Sequence, residues 1–219
     1  MALTAWQQSV VAIDVIGPVI FTGLLGMMRY TNRISRSLWL TYLFGIALTS
    51  IWEISFGLAG DSFLIFKFNN PLGFSVHILH AFWDSIILLF GMYFIHIRND
   101  NAYCGLKQLG LLTIFGLLQE FIVEVLFNDK YWYYKTDNKM NPVLFTLNGV
   151  EYTWVPFLVW ATFPILYLAG TFSIIDTYGP LRLHGRREIT DDRINTLIHN
   201  PHNTLATETI CNSDNSTIL

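Results

Sequence analysis

The sequence predicts an all-α membrane protein, a polytopic bundle of about five transmembrane helices. Its 219 residues are 53% hydrophobic and only 13% charged, and this charged fraction is about half of that in soluble domains. Five stretches are each long and apolar enough to cross the hydrocarbon core of a bilayer. After about residue 181 the composition becomes polar, as in disordered tails. We therefore predict a transmembrane bundle over residues 1–181 and a disordered cytosolic tail over residues 182–219.

Polar or turn-forming residues mark the ends of the predicted spans. The first span ends at Arg29, and the turn-forming residues 69–71 (Asn-Asn-Pro) separate the second span from the third. Residues 179–180 (Gly-Pro) end the fifth span, and Pro156 and Pro164 are expected to kink it. The predicted spans cover about residues 9–28, 38–60, 74–97, 105–128 and 153–175.

The connection before the last span, residues 129–152, is the longest in the bundle. Its aromatic run at 131–134 (Tyr-Trp-Tyr-Tyr) is typical of an interfacial belt. We prefer this interpretation to the alternative, a lid over an intramembrane pocket. The apolar segment 142–148 is too short to span and is predicted to be interfacial or re-entrant. Asn148 and Gly149 then predict a tight turn.

The third span carries ionisable side chains inside an apolar sequence. His77, His80 and Asp84 follow at i, i+3 and i+7, so they share one face of a helix. Ionisable groups at this depth are costly unless protein or a wet cavity shelters them. The sequence thus predicts an acidic, histidine-bearing pocket inside the bundle. The other apolar spans supply further acids: Asp14, Glu53, Glu120 and Glu124.

These further acids differ in what their positions indicate. We interpret Asp14, near the start of the first span, as an interfacial acid wetted by lipid headgroups. Glu53 lies past the midpoint of the second span, where a buried carboxylate without a nearby cation indicates function, the alternative being a structural partner for a polar group on another helix. Glu120 and Glu124 are i, i+4 neighbours, and two like charges so close in an apolar medium cannot both ionise easily. The alternative is that Glu124 reaches the interface and only Glu120 is buried.

The first functional hypothesis is an acid–base isomerase or cyclase that acts on an isoprenoid or sterol lipid. In a dry cavity, carboxylic acids can protonate an alkene or epoxide, and aromatic faces can stabilise the resulting cation. A second carboxylate or a histidine then removes a proton, so this chemistry requires no cofactor. The candidate catalytic residues are Glu53, His80, Asp84 and Glu120, and the candidate substrate-binding residues are Trp52, Trp83, Glu124, Trp160 and Tyr167.

Two short motifs resemble membrane enzyme families. His80-x-x-x-Asp84 resembles the His-x-x-x-Glu pair of the emopamil-binding (EXPERA) family of sterol isomerases, although that family places its pair in the second span. The sequences around Glu53 (Trp-Glu-Ile) and Asp176 (Asp-Thr-Tyr-Gly) are similar to the membrane-integral terpene cyclases of fungal meroterpenoid pathways. Those cyclases use a glutamate in the second span and an aspartate in the last. The resemblance implies catalytic roles for Glu53 and Asp176.

Two other functions stay open. His77, His80 and Asp84, completed by Glu120 or Glu124, would form a two-histidine, carboxylate-rich set suited to zinc or non-haem iron. The other possibility is a protein that binds or traffics a lipid or sterol in the same pocket without transforming it.

Positively charged residues predict the orientation in the membrane. Nine of the 13 Lys and Arg residues fall on one side of the five spans and four on the other. Because Lys and Arg mark cytoplasmic loops, we predict a lumenal or outside N-terminus, a cytosolic C-terminus and a location in the endoplasmic reticulum.

The partners follow from charge and from the C-terminus. The net charge of −3 does not indicate nucleic acid, and the predicted partners are the membrane and a lipid or isoprenoid molecule. Thr217 and Leu219 match the C-terminal pattern that PDZ domains bind by strand addition. A PDZ-domain protein is therefore a candidate partner.

Overall fold

Five long helices form the protein in the computed structural model, which describes residues 3–68, 70–95, 105–137 and 139–183. All five helices are long and apolar enough to cross a membrane, so the predicted fold class is confirmed. Residues 184–219, including Thr217 and Leu219, lie outside the described residues. The helices are α1 Ala5–Tyr30, α2 Arg36–Ala59, α3 Ser75–Ile95, α4 Gly105–Phe127 and α5 Trp154–Tyr178.

The first two helices each begin at a side-chain cap, just before the apolar part of the sequence. Thr4 and Gln7 form a capping box, in which each side chain accepts a hydrogen bond from the other residue's backbone N–H. Ser35 caps α2 by accepting the N–H of Leu38 at 3.1 Å. Ser35 also accepts the N–H of Arg182, and Leu181 is fully buried. Residues 181–183, which follow α5, therefore pack against the start of α2.

Small residues and hydroxyl groups hold the middle of the bundle together. A Cβ on Gly45 of α2 would overlap the side chain of Ser85 on α3, so the two backbones approach closely. The Ser85 hydroxyl donates to the carbonyl oxygen of Tyr42 at 2.8 Å. The Thr49 hydroxyl donates to the carbonyl oxygen of Ala81 at 2.7 Å. These neutral polar groups are satisfied by the backbone of the neighbouring helix.

The two prolines of α5 act differently from one another. Pro156 lies in the first turn, where an N–H has no partner within the helix in any case, so the predicted kink at this position is wrong. Pro164 lies inside the helix and withdraws the hydrogen bond that the carbonyl of Trp160 would otherwise accept. A Cβ on Gly116 of α4 would lie 3.0 Å from that carbonyl oxygen. The glycine thus lets α4 pack directly against the released carbonyl.

Two small antiparallel sheets cover one end of the bundle. Strand β1 (Leu64–Phe66) follows α2 and pairs with β2 (Trp132–Tyr134), which follows α4. Strands β3 (Val143–Leu147) and β4 (Val150–Thr153) form a hairpin. Its turn has positive φ at Asn148 (51°) and Gly149 (79°), as the sequence predicts. The segment predicted as interfacial or re-entrant is therefore an exposed strand of this hairpin, and the re-entrant alternative is wrong.

The two ends of the bundle differ in composition. We call the end that carries the two sheets and the start of α1 the hairpin end. The opposite end, the basic end, carries Arg29, Arg33, Arg36, Lys107 and Arg182, whereas the described cations of the hairpin end are all lysines, at positions 67, 130, 135 and 139.

Candidate functional site

A cavity of about 240 Å³ lies within the half of the bundle nearer the hairpin end. All five helices contribute to its wall, together with β1 and β2, and none of the described lining residues is Lys or Arg. Apolar and aromatic side chains form most of the wall. Its polar side chains are Asp14, Glu53, His80, Asp84, Gln119, Glu120, Glu124 and Tyr134.

Glu53 of α2 connects the two histidines of α3. Its Oε2 lies 3.1 Å from Nδ1 of His77 and 3.8 Å from Nδ1 of His80. Gly57, one turn after Glu53, makes space for the His77 ring, because a Cβ there would lie 2.8 Å from Cδ2 of His77. His77 is 5% exposed. Glu53 and Gly57 are four residues apart and share one face of α2, so the space beside the glycine lies next to the carboxylate that His77 contacts.

Asp14 is part of the same cluster. Its Oδ2 lies 3.6 Å from Nε2 of His80 and accepts a hydrogen bond of 3.1 Å from the hydroxyl of Tyr131. Burial and the Asp14 carboxylate raise the pKa of Tyr131 above its ordinary value, so its hydroxyl remains a donor. Asp14 is 8% exposed. The interpretation of Asp14 as an interfacial acid wetted by headgroups is therefore wrong, because a loop residue and a histidine cover it.

Asp84 lies on the same wall and is oriented by a tryptophan. Nε1 of Trp52 donates to Oδ2 of Asp84 at 3.1 Å. The Trp52 ring is in turn fixed by an edge-on contact with Phe163, with 4.0 Å between ring centroids, and it lies 6.0 Å from the ring of Trp160. An aromatic wall therefore surrounds the Asp84 carboxyl group, and Trp52 both forms part of that wall and donates to the carboxyl.

Glu120 and Glu124 of α4 are both buried, at 6% and 1% exposure. The alternative in which Glu124 reaches the interface is wrong, because β2 covers it: the side chain interacts with Trp132 and Tyr134, and also with Asn128. Burial and the two glutamates raise the pKa of Tyr134 well above its ordinary value. Its phenol therefore remains protonated and able to donate to Glu124.

The aromatic run at 131–134 forms part of the cavity wall. Trp132 and Tyr134 both line the cavity, and they are held there by the pairing of β2 with β1. The belt interpretation is therefore wrong for these two residues, and a cover over the pocket describes them better. Side chains two residues apart share one face of a strand. The Trp-Tyr-Tyr sequence therefore indicates that Trp132 and Tyr134 point to the same side.

Eight of the ten predicted site residues line this cavity, and two do not. Tyr167 is fully buried in the packed middle of the bundle. Asp176 is exposed in the last turn of α5, roughly 24 Å along the helix from Trp160 at 1.5 Å per residue. The catalytic role that the resemblance implies for Asp176 is thus not compatible with this cavity. The eight are Trp52, Glu53, His80, Trp83, Asp84, Glu120, Glu124 and Trp160.

Sequence reasoning did not select several residues of the cavity region as site residues. These are Asp14, which it interpreted as wetted by headgroups, and His77, which it placed on the ionisable face of the third span but not among the catalytic candidates. The others are Tyr131, Trp132 and Tyr134, which it assigned to a belt. Gln119 was not considered, although it directly precedes Glu120.

The metal hypothesis requires several ligands around one point. Within the described ranges, no group of three or more His, Cys, Asp or Glu side chains is arranged to hold a metal ion. His77 and His80 instead each face a carboxylate as an acid–base pair.

Comparison with known proteins assigns neither a family nor a function to the chain. No protein-family model, curated protein sequence or solved structure matches the chain. A functional conclusion must therefore be built from the chemistry of the cavity.

Proposed function

We propose that the protein is an intramembrane acid–base isomerase or cyclase whose substrate is an isoprenoid or sterol lipid. One observation carries the proposal. Five carboxyl groups and a histidine share an aromatic cavity that no described Lys or Arg lines. Buried acids without a cation are costly at membrane depth, and they are retained mostly where they have a function.

The acid of the proposed reaction belongs to the group formed by Glu120, Glu124 and Asp84. Glu120 lies close enough to Glu124, Asp84 and Glu53 to interact with all three. Carboxyl groups so close together in an apolar medium cannot all carry charge, so at least one holds a proton. A carboxylic acid that keeps its proton is the general acid needed to protonate an alkene carbon.

Aromatic faces would stabilise the carbocation that protonation creates. Trp52, Trp83 and Trp160 line the cavity together with Trp132. The face of an indole ring attracts a cation within about 6 Å of its centroid. Because no Lys or Arg among the described lining residues repels the cation, the whole cavity favours positive charge.

The base of the proposed reaction belongs to the cluster of His80, Glu53 and Asp14. Removal of a proton from the carbon next to the cationic centre forms a new double bond, so an isomerisation consumes no co-reactant. His77 is hydrogen-bonded to Glu53 and also lines a groove on the outer surface beside β1. His77 thus offers a path by which the cluster exchanges protons with water between turnovers, and Glu120, which lies close enough to Glu53 to interact with it, regains its proton from the cluster.

The proposal is tested by lipid mass spectrometry of cells that express the wild type or Glu120→Gln. Glutamine keeps the shape of the side chain but cannot donate an acidic proton. We expect a lipid precursor to accumulate in the variant, together with a deficit of its double-bond or ring isomer. Glu151→Gln is the matched control, because Glu151 is exposed on β4 outside the cavity.

Two results would contradict catalysis. Identical lipid profiles for the wild type, the Glu120→Gln variant and cells without the protein would remove the enzymatic proposal. If, in addition, an unmodified lipid co-purified with the protein, the cavity would instead belong to a lipid-binding or trafficking protein.

We further propose that the basic end faces the cytosol and that the protein resides in the endoplasmic reticulum. The support is the sequence count, in which nine of the 13 Lys and Arg residues fall on that side of the predicted spans. A protease added to intact microsomes should remove a tag at the C-terminus and leave a tag at Met1 protected. Protection of the C-terminal tag would reverse the orientation.

A further inference from the structure

Three side-chain polar atoms in the cavity wall have no hydrogen-bond partner among the described residues. Two of them belong to neighbouring side chains, Nε1 of Trp132 and Oε1 of Glu124. Both side chains line the cavity, both are more than nine-tenths buried, and they interact with one another. The indole N–H can only donate, and the other atom, a carboxyl oxygen, can accept. Leaving a buried polar atom without a hydrogen bond costs free energy. The pair therefore favours a ligand group that can accept one hydrogen bond and donate another.

We propose that the cavity binds its lipid through a hydroxyl group, which accepts a hydrogen bond from Trp132 and donates one to Glu124. The substrate class is then a lipid alcohol, such as a prenyl alcohol or a sterol. This inference takes from the proposed function that the ligand is a lipid.

Other polar groups fit the pair less well. A phosphate or carboxylate would be repelled by the five carboxyl groups, and no Lys or Arg among the described lining residues offsets their charge. An ammonium group has no acceptor for the N–H of Trp132, and an ether or ketone has no proton for Glu124. A hydroxyl group supplies both functions in a single atom.

The placement of the pair also orients the ligand. Glu124 lies one helical turn nearer the hairpin end than Glu120, and β2 brings Trp132 over it. A hydroxyl group bound there leaves the hydrocarbon part of the ligand beside Glu120 and the Trp52–Asp84 pair. Gln119 lines the same wall and has an unpaired Nε2 among the described residues. It provides a second donor next to Glu120.

The test measures binding rather than turnover, with full-length protein in lipid nanodiscs. The probes are farnesol, farnesyl methyl ether and farnesene, which share one hydrocarbon chain and differ in the polar group. We expect the wild type to bind farnesol at least about tenfold more tightly than either other probe, because a site built for a hydroxyl group discriminates against its absence. Equal affinity for the three probes would overturn the inference, and this comparison needs no variant.

Variants locate the hydroxyl group. Trp132→Phe removes the indole N–H, and we expect it to abolish the preference for farnesol while farnesene affinity is unchanged. Trp154→Phe is the matched control, because this exposed indole donates to the carbonyl of Met140 outside the cavity. A farnesol preference that persists in Trp132→Phe would contradict the assignment. Conversion of a lipid without a hydroxyl group would refute this inference but not the proposed function.

Discussion

The two halves of the bundle treat buried polar groups in opposite ways. Between the cavity and the basic end, buried hydroxyls donate to backbone carbonyls, as Ser85 does to Tyr42 of a neighbouring helix. In the half toward the hairpin end, buried carboxyls and histidines pair with one another in and beside a cavity, as Glu53 pairs with His77. The first arrangement is neutral and closed, and the second is ionisable and open to a ligand.

This difference separates structural polar groups from functional ones within one membrane protein. A hydroxyl bonded to a helix carbonyl adds a modest interhelical interaction and loses little solvation. A cluster of buried acids adds no comparable stability, since its members repel one another. The stability of the bundle therefore rests mainly on its closed half, while the open half is available for chemistry.

The largest expected effect is that of Glu53→Gln in the open half. The variant keeps the shape of the side chain but removes the charge shared by His77 and His80. We expect turnover to fall by about 10²- to 10⁴-fold, the usual contribution of an acid–base residue, with the melting temperature little changed. Product formation in isolated membranes measures turnover. Turnover equal to that of the wild type would remove Glu53 from the site.

A smaller effect, on stability, is expected in the closed half from Gly45→Ala. The added Cβ would overlap the Ser85 side chain and contact the Tyr167 ring. Overpacking of this kind costs about 1–3 kcal/mol, measured as a lower free energy of unfolding in detergent. Gly110→Ala is the control, because its added methyl group would meet no described atom of another helix within 4 Å. Equal stability of the two variants would show that the Gly45 contact is not tightly packed.

A packing contact on α1 is expected to affect ligand binding in the open half. A Cβ on Gly17 would overlap the ring of Trp83, which lines the cavity. We expect Gly17→Ala to displace this ring and to weaken farnesol binding about tenfold, equivalent to about 1.4 kcal/mol. Gly23→Ala, with nothing within 4 Å on the same helix, should bind normally. Unchanged binding by both variants would indicate that Trp83 does not shape the site.

The smallest effect is expected from Ser85→Ala. The variant loses one hydroxyl-to-carbonyl bond, and interhelical bonds of this type contribute about 0.6 kcal/mol on average in membranes. Thermal unfolding should show this small loss, and turnover should match that of the wild type. A large loss of turnover without a loss of stability would erase the distinction between the two halves.

The sequence was sufficient to predict the helices because hydropathy is a local property. Every span boundary that the structure describes lies within a few residues of its predicted position. The stripe of His80 and Asp84 was likewise predictable, because its helical spacing is contained in one segment. Both residues line the cavity.

Long-range contacts were not predictable in this way. The burial of Asp14 depends on Tyr131, which is 117 residues away in the chain, and no local pattern around Asp14 indicates that partner. The cover formed by Trp132 depends on the pairing of β2 with β1 across the bundle. Asp176 was selected by resemblance rather than by a physical argument, and the structure places it exposed at the basic end, outside the cavity.

The central claim, acid–base chemistry on a lipid in the open half, is tested most directly by deuterium incorporation. Membranes containing the wild type are incubated in D₂O, and their lipids are analysed by mass spectrometry. Because the acid of the cavity exchanges with water between turnovers, we predict a product with one deuterium bound to carbon, absent in Glu53→Gln and retained in Ser85→Ala. Product formed by the wild type without deuterium on carbon, or no lipid conversion at all, would contradict the account.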